Sequence, residues 1–216
     1  MKKKLFIALA LVIMIISYGN LYAQEGSSSR IGFQVGGYLP LGEYWSDDVS
    51  TGIGGSALYN YKIIDKISLT GAVGYYHFLK GDPIYQYGMD ENETNIIGLG
   101  YYYITCTIVS VLGGLQYNIL SADKTVQPYV GCESGLFLVT FNWERIKPEG
   151  NVFDTGAKTR SCFGFAPAVG FRFKLGLNVD LDVNAKWSFV EYRDDLDNYK
   201  LQYNHIGLNF GLLFRI

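Results

Sequence analysis

The sequence predicts an all-β fold, an up-and-down antiparallel transmembrane β-barrel of about eight strands. Three observations carry that expectation. Stretch after stretch of the 216 residues alternates apolar with small or polar side chains at period two, which gives a strand two unlike faces. The stretches are about 10 residues or longer, the length a tilted membrane strand needs, and their connections alternate between long and short. The composition is 49% hydrophobic and 16% aromatic with 26 glycines and 18% charge, which suits strands that meet lipid on one face and crowd together on the other.

The first residues read as an export signal over residues 1–23. Lys2, Lys3 and Lys4 form a charged start, Leu5 to Ile16 is an apolar run, and Tyr18 to Ala23 leads to a cleavage point before Gln24. The apolar run is shorter than the ~20 residues a spanning helix requires. No cysteine stands at the cleavage point, which argues against a lipid-anchored product, and every later apolar stretch is broken by glycine or charge. Residues 24–216 are then one barrel domain exported by the Sec route. The whole chain has a net charge of −2, and loss of the three leader lysines leaves 15 basic against 20 acidic residues. With no cluster of Lys and Arg, nucleic-acid binding is excluded.

Strand one is expected from Arg30 to Leu39, with Ile31, Phe33, Val35 and Leu39 opposite Gly32, Gln34, Gly36 and Tyr38. Pro40 to Thr51 reads as a loop, Gly52 to Tyr61 as strand two, and Lys62 to Lys66 as a tight turn. Strand three covers Ile67 to Leu79, followed by a long acidic loop from Lys80 to Gly100. Strand four covers Tyr101 to Tyr117, Asn118 to Thr125 turns, and strand five covers Val126 to Val139. A second long loop is expected from Thr140 to Ser161, because its charges are mixed and it holds a proline and two glycines. Strand six, Cys162 to Leu175, alternates most cleanly; Gly176 to Asn178 is the tightest turn; strand seven covers Val179 to Tyr192. After a polar link from Arg193 to Gln202, the closing strand runs from Tyr203 to Ile216, with Ile206, Leu208, Phe210, Leu212, Phe214 and Ile216 on one face.

Alternation alone does not say which face is inside, since a soluble ligand-binding barrel would turn its apolar face inward. Three features favour apolar-out. The other face is rich in Gly, Ala, Ser and Asn, which fits a cramped lumen. Aromatic residues gather near strand ends at Tyr59, Tyr61, Tyr75, Tyr117, Trp187, Phe189 and Tyr192, as in the belts found at lipid interfaces. The charges of the small face are placed to pair. Folding strands six and seven about Gly176 to Asn178 sets Lys174 opposite Asp180 and Arg172 opposite Asp182, and folding Tyr192 onto Tyr203 brings Arg215 to Asp180. Glu133 and Lys186 complete this set of lumen charges, read as structural.

The leader ending Leu21-Tyr22-Ala23-Gln24, the turn Tyr61 to Lys66, the opening Pro128-Tyr129-Val130-Gly131 of strand five and the closing Asn209, Gly211, Phe214 and Ile216 resemble a known family. It is the outer-membrane β-barrel (porin-family) proteins frequent in Bacteroidetes, related in architecture to small OmpA- and OmpX-type barrels. The final Ile216 departs from the Phe or Trp that more often ends such chains. The resemblance covers residues 24–216. It implies a Gram-negative outer membrane, lipids and lipopolysaccharide as surroundings, and recognition by the barrel-assembly machinery through the last strand, with the partner of the external loops left open.

Little chemistry is written into the chain. Cys106, Cys132 and Cys162 show no CxxC spacing and read as small packing residues. His77, near Asp82, and His205, near Asp194, Asp195 and Asp197, lack a serine in a hydrolase arrangement and read as rim residues, not catalytic ones. Asp90, Glu91 and Glu93 match no calcium-loop spacing, so no metal or cofactor is expected. Two functions stand in order: a structural or interaction barrel with a filled lumen and long external loops, then a narrow porin-like conduit for small or apolar solutes. An enzyme ranks third.

Overall fold

The computed structural model describes residues 29–42, 49–80, 84–89, 96–120, 124–147, 152–176, 178–193 and 200–216. The expected export signal lies outside them, as do Asp82, Asp90, Glu91, Glu93, Asp194, Asp195 and Asp197. All regular structure in these segments is strand: β1 (Ser29–Leu41), β2 (Val49–Lys62), β3 (Ile67–Lys80), β4 (Ile84–Met89), β5 (Ile96–Asn118), β6 (Val126–Ile146), β7 (Val152–Lys174), β8 (Val179–Arg193), β9 (Lys200–Gln202) and β10 (Asn204–Arg215).

Eight of these form a closed ring. Each strand pairs antiparallel with the next in the order β10, β1, β2, β3, β5, β6, β7, β8, and β8 pairs back with β10. The short β4 lies beside β5, and β9 beside β8. The β2–β3 connection, residues 63–66, is tight and lies at the end holding Ser29 and Ile216. There Lys62 donates to Asp65 at 2.8 Å across the β2–β3 turn, holding the Asp65 carboxyl below its usual range.

The period-two pattern resolves into an inside and an outside. Phe33, Val35, Ile53, Val111, Leu136, Phe163, Val169 and Phe210 are each half or more exposed on the outer wall, and Tyr61, Tyr75, Tyr117 and Trp187 are exposed with them. So continuous an apolar belt is far beyond what a water-facing surface carries and matches a lipid-facing one. The inner wall buries Arg30, Gln34, Asn60, Ser110, Glu133, Arg172, Asp182, Asn184 and Asn209. The apolar face is therefore outward.

Two expected loops are largely strand. β6 continues to Ile146 and β7 begins at Val152, so most of Thr140 to Ser161 is a paired ladder running from Thr140↔Thr159 to Ile146↔Val152. Likewise Lys80 to Gly100 contains β4 and the start of β5. Beyond the bilayer a ladder needs no apolar outer face, so its polar residues conceal it. Gly100, at φ +120°, sits where the β4–β5 register shifts, a bulge position that suits glycine.

Glycine and aromatic residues interlock inside. Five aromatic rings lie over the glycine directly across the ladder: Tyr38 over Gly207, Tyr76 over Gly54, Phe78 over Gly52, Tyr129 over Gly170 and Trp143 over Gly156. A Cβ on any of these glycines would enter the ring's space. The first four pairs cover bare backbone with a large apolar surface in a lumen too narrow for two full side chains, and the Trp143 pair does the same in the extended β6–β7 ladder. Gly207→Val is expected to evict Tyr38 and cost about 1–3 kcal/mol, the usual penalty for overpacking, read as a lower urea midpoint of the refolded barrel. Gly37→Ala, where an added Cβ meets nothing within 4 Å, should leave that midpoint unchanged.

Candidate functional site

Among the described residues, polar and charged side chains converge in the lumen, which has two unlike halves. Toward the tight-turn end lies a charged network. Arg30 on β1 and Arg215 on β10 face each other directly across the seam that closes the ring. Like charges so placed repel. Asp180 on β8 lies between them, taking the Arg30 Nε–H at 2.9 Å and a second hydrogen bond from Arg215. Its side chain is wholly buried.

One layer further in, Asp182 accepts hydrogen bonds from Tyr129 Oη at 2.9 Å and Asn184 Nδ2 at 2.8 Å, and stands 3.5 Å from Arg172 Nε. The Arg172 guanidinium stacks over the Tyr129 ring, 5.4 Å from its centroid, and donates to Gln116 at 3.2 Å. Lys186 Nζ meets Glu133 Oε2 at 2.7 Å. Amides link the layers: Asn184 donates to Gln34 at 3.1 Å, and Asn209 donates to Asn184 at 3.0 Å.

Toward the opposite end the lumen becomes apolar. Tyr38, Tyr76, Phe78, Cys106, Ile108, Phe137, Val139, Cys162 and Tyr203 form one buried cluster. His205 stands inside it, 1% exposed, with the rings of Tyr38, Tyr76 and Phe78 at 5.6–5.9 Å and its Nδ1 3.3 Å from the Tyr203 carbonyl oxygen. The expected rim position is thus a core position. His77 remains part-buried, with Nδ1 3.2 Å from Thr107 Oγ1.

Placement of the sequence-derived residues is uneven. Arg172 lies opposite Asp182 and Lys174 opposite Asp180 in the β7–β8 ladder. Asp180, however, spends its oxygens on the two arginines, and no ion pair of Lys174 is found among the described residues. Arg215 reaches Asp180 by another register than the one expected: Leu213, not Arg215, is its ladder partner. The ladder is two residues out of step from Tyr192 onto Tyr203, a slip that preserves which face points inward. Asn209 is buried in the lumen and Gly211 pairs across the seam with Gln34, while Phe214 and Ile216 are outward and exposed. Sequence reasoning does not single out Arg30, Tyr129, Gln34 and Asn184 as members of the charged network. Their signal is only the inward parity of their strands.

As chemistry, the arrangement of these described residues holds charge in place. The three cysteines are free and none is the ladder partner of another, since Cys106 pairs in register with Phe141, Cys132 with Leu115 and Cys162 with Phe137, although Cys106 and Cys162 share the buried cluster. No group of three His, Cys, Asp or Glu that could hold a metal occurs among the described residues.

No protein-family model and no curated sequence matches the chain. Solved structures do. Neisserial surface protein A is 15% identical, with 89% of this chain and 100% of that chain aligned at a TM-score of 0.50. A major outer membrane protein from Thermus thermophilus is 14% identical over 87% and 99% at 0.49, and Ail, the attachment invasion locus protein of Yersinia pestis, is 15% identical over 88% and 97% at 0.45. At such identities the likeness is one of fold: the chain is a closed eight-stranded up-and-down barrel of the small outer-membrane type.

Proposed function

We propose that this chain is an integral outer-membrane barrel that works as an interaction scaffold, not as an open pore or an enzyme. The observation that carries this reading is the filled lumen, with charged layers at one end and a buried aromatic cluster at the other. Eight strands leave an interior about wide enough for side chains alone. The external end supplies the surface for partners. β5, β6 and β7 have 23, 21 and 23 residues against 12 to 15 in the other five ring strands. At ~3.3 Å per residue the excess extends a sheet roughly 20–30 Å along its strands beyond the rim.

That sheet carries paired charges, Lys80 with Glu144 at 2.5 Å and Arg145 with Asp154 at 3.5 Å, and an outer run of tyrosines, Tyr85, Tyr101 and Tyr103, with Lys80 Nζ 5.1 Å from the Tyr103 ring centroid. Charge and tyrosine together suit a zone where lipopolysaccharide headgroups and external partners meet. Residues 1–23 serve as the Sec signal in this reading, and Asn209, Gly211, Phe214 and Ile216 on the last strand as the contact with the assembly machinery.

Purified barrel in planar bilayers should show no steady conductance; a sustained open current would favour the narrow conduit instead. The lumen charges serve stability. Asp180→Asn leaves Arg30 and Arg215 facing each other, and should lower the unfolding free energy by about 3–5 kcal/mol, as breaking buried ion pairs does, measured by urea titration in lipid vesicles. Glu133→Leu alone strands Lys186 and should cost a similar amount. Glu133→Leu combined with Lys186→Met should recover most of that loss, because removing both charges leaves none buried without a partner.

A further inference from the structure

Two short connections at the end of the barrel holding Ser29 and Ile216 carry aliphatic side chains where turns ordinarily use glycine, asparagine or aspartate. Ile63 and Ile64 lie between β2 and β3, and Ile119 and Leu120 follow β5; all four are 43–56% exposed. Leu175 repeats the pattern after β7. The backbone fixes this exposure. The Ile63 and Ile64 N–H groups both donate to the Ile67 carbonyl, at 2.9 and 3.2 Å, and the Ile119 N–H donates to the Pro128 carbonyl at 2.9 Å. Because β3 pairs with β5, the two connections are neighbours, and the Asn118 N–H joins them by donating to the Lys66 carbonyl at 2.8 Å.

The apolar belt beside these turns is short. On β5 the outward apolar run goes from Val109 to Tyr117 and is bounded by Thr107; on β2 it goes from Ile53 to Tyr61 and is bounded by Thr51. Either run measures roughly 27 Å along the strand at ~3.4 Å per residue. A tilt of about 35–45° reduces this to roughly 20 Å across the membrane, against the ~25 Å of a usual apolar band. Two further residues along each hairpin add roughly 5 Å across the membrane. Ile63 and Ile64, and Ile119 and Leu120, occupy those added positions and make up the difference.

Charge points to the same occupant. Over residues 62–66 and 118–125 the sequence places Lys62, Lys66 and Lys124 against Asp65 and Asp123, and Lys62 already holds Asp65 at 2.8 Å. Lys66 and Lys124 are exposed beside the aliphatic tips. Lysine stems lie along apolar surface while their ammonium groups reach outward, the arrangement that meets a layer of phosphates. A soluble partner would have to stop at Tyr61 and Tyr117, the exposed ends of the belt, whereas lipid covers belt and turns without a break. The geometry points to the β2–β3 and β5–β6 connections as a docking surface for the phospholipid leaflet on their side of the membrane: the four aliphatic side chains enter the acyl boundary, and Lys66 and Lys124 reach the headgroup phosphates. This rests on the outer-membrane reading above and adds which part of the barrel meets which lipid chemistry.

The test uses the whole refolded barrel, labelled at its isoleucine δ1 methyls, in nanodiscs of phosphatidylethanolamine and phosphatidylglycerol. Nuclear magnetic resonance records magnetisation transfer to each methyl from lipid acyl methylenes and from water. Ile53, 66% exposed in the belt, reports whether the barrel lies in the bilayer at all. Transfer from acyl methylenes is expected at Ile53, Ile63, Ile64 and Ile119. Acyl transfer at Ile53 with transfer from water alone at the other three overturns the docking surface, leaves the membrane reading intact and gives those side chains to a soluble partner. No acyl transfer at Ile53 overturns the membrane reading, and this inference with it. Spin-labelled lipids then test the lysines. The lipid immobilised around the barrel should favour phosphatidylglycerol over phosphatidylcholine about twofold, and Lys66→Gln combined with Lys124→Gln should abolish the preference. No preference in the unsubstituted barrel, or an unchanged preference in the folded double variant, overturns the headgroup contact. The unsubstituted barrel decides the question if that variant does not fold.

Discussion

A sheet becomes a barrel only when its first and last strands meet, and here β1 and β10 meet with two arginines face to face. That contact would oppose closure in any lumen shielded from water. Asp180 removes the conflict by coming from a third strand, β8, and binding both guanidinium groups from below the seam. The carboxylate therefore does more than neutralise. It ties β8, β10 and β1 at the point where the ring is joined, and one fully buried charge holds three strands in mutual register. The next layers repeat the device with fewer members, Arg172 with Asp182 across β7 and β8, and Lys186 with Glu133 across the lumen from β8 to β6.

Burying so many charges is tolerable only because almost every one has a partner, and the partners come from strands far apart in sequence. β8 is the hub: Asp180, Asp182, Asn184 and Lys186 all point inward from its alternate positions. Four polar residues in a row on one face would be misplaced in a soluble sheet's core. In a lumen they reach out to β1, β6, β7 and β10, and so convert one strand's alternation into connections across the barrel. The opposite half uses volume in place of charge, with the rings of Tyr38, Tyr76 and Phe78 each made possible by a glycine across from it.

Much of this was legible in the sequence. Period-two alternation located all eight ring strands, because a membrane barrel must present unlike surfaces to lipid and lumen, and the small residues and pairable charges of one face marked it as the inner one. The β7–β8 register followed from its tight turn, which leaves the chain no freedom to slip, so Arg172 fell opposite Asp182. The β8–β10 register came out two residues away because a ten-residue polar link imposes no such constraint. Parity survived the slip, and Arg215 still reached Asp180 through the length of its side chain. Much of the tall parts of β5, β6 and β7 was read as loop for a related reason: where a ladder leaves the bilayer the alternation disappears, through polar residues on both faces of β6 and β7 and through the unalternating IIGLGYYY that opens β5. His205 was misplaced at the rim because nothing local distinguishes an imidazole held among three rings from one in water. Arg30 lies 150 residues from Asp180, and no short-range pattern announces that pair.

The filled lumen and the tall sheet are consequences of one division of labour. In the proposed scaffold role, a ring of eight strands filled by its inward side chains contributes position and rigidity. The charged layers and interlocked aromatics make that rigidity uniform from the seam to the rim. β5, β6 and β7 then carry it past the membrane without a break, since each is one continuous strand from the short-turn end to the external sheet. If this sheet meets a partner, as proposed, the described part of that surface is held by the same ladders that hold the barrel. Preordering of this kind lowers the entropy lost on association, which is an advantage a flexible loop of the same composition lacks.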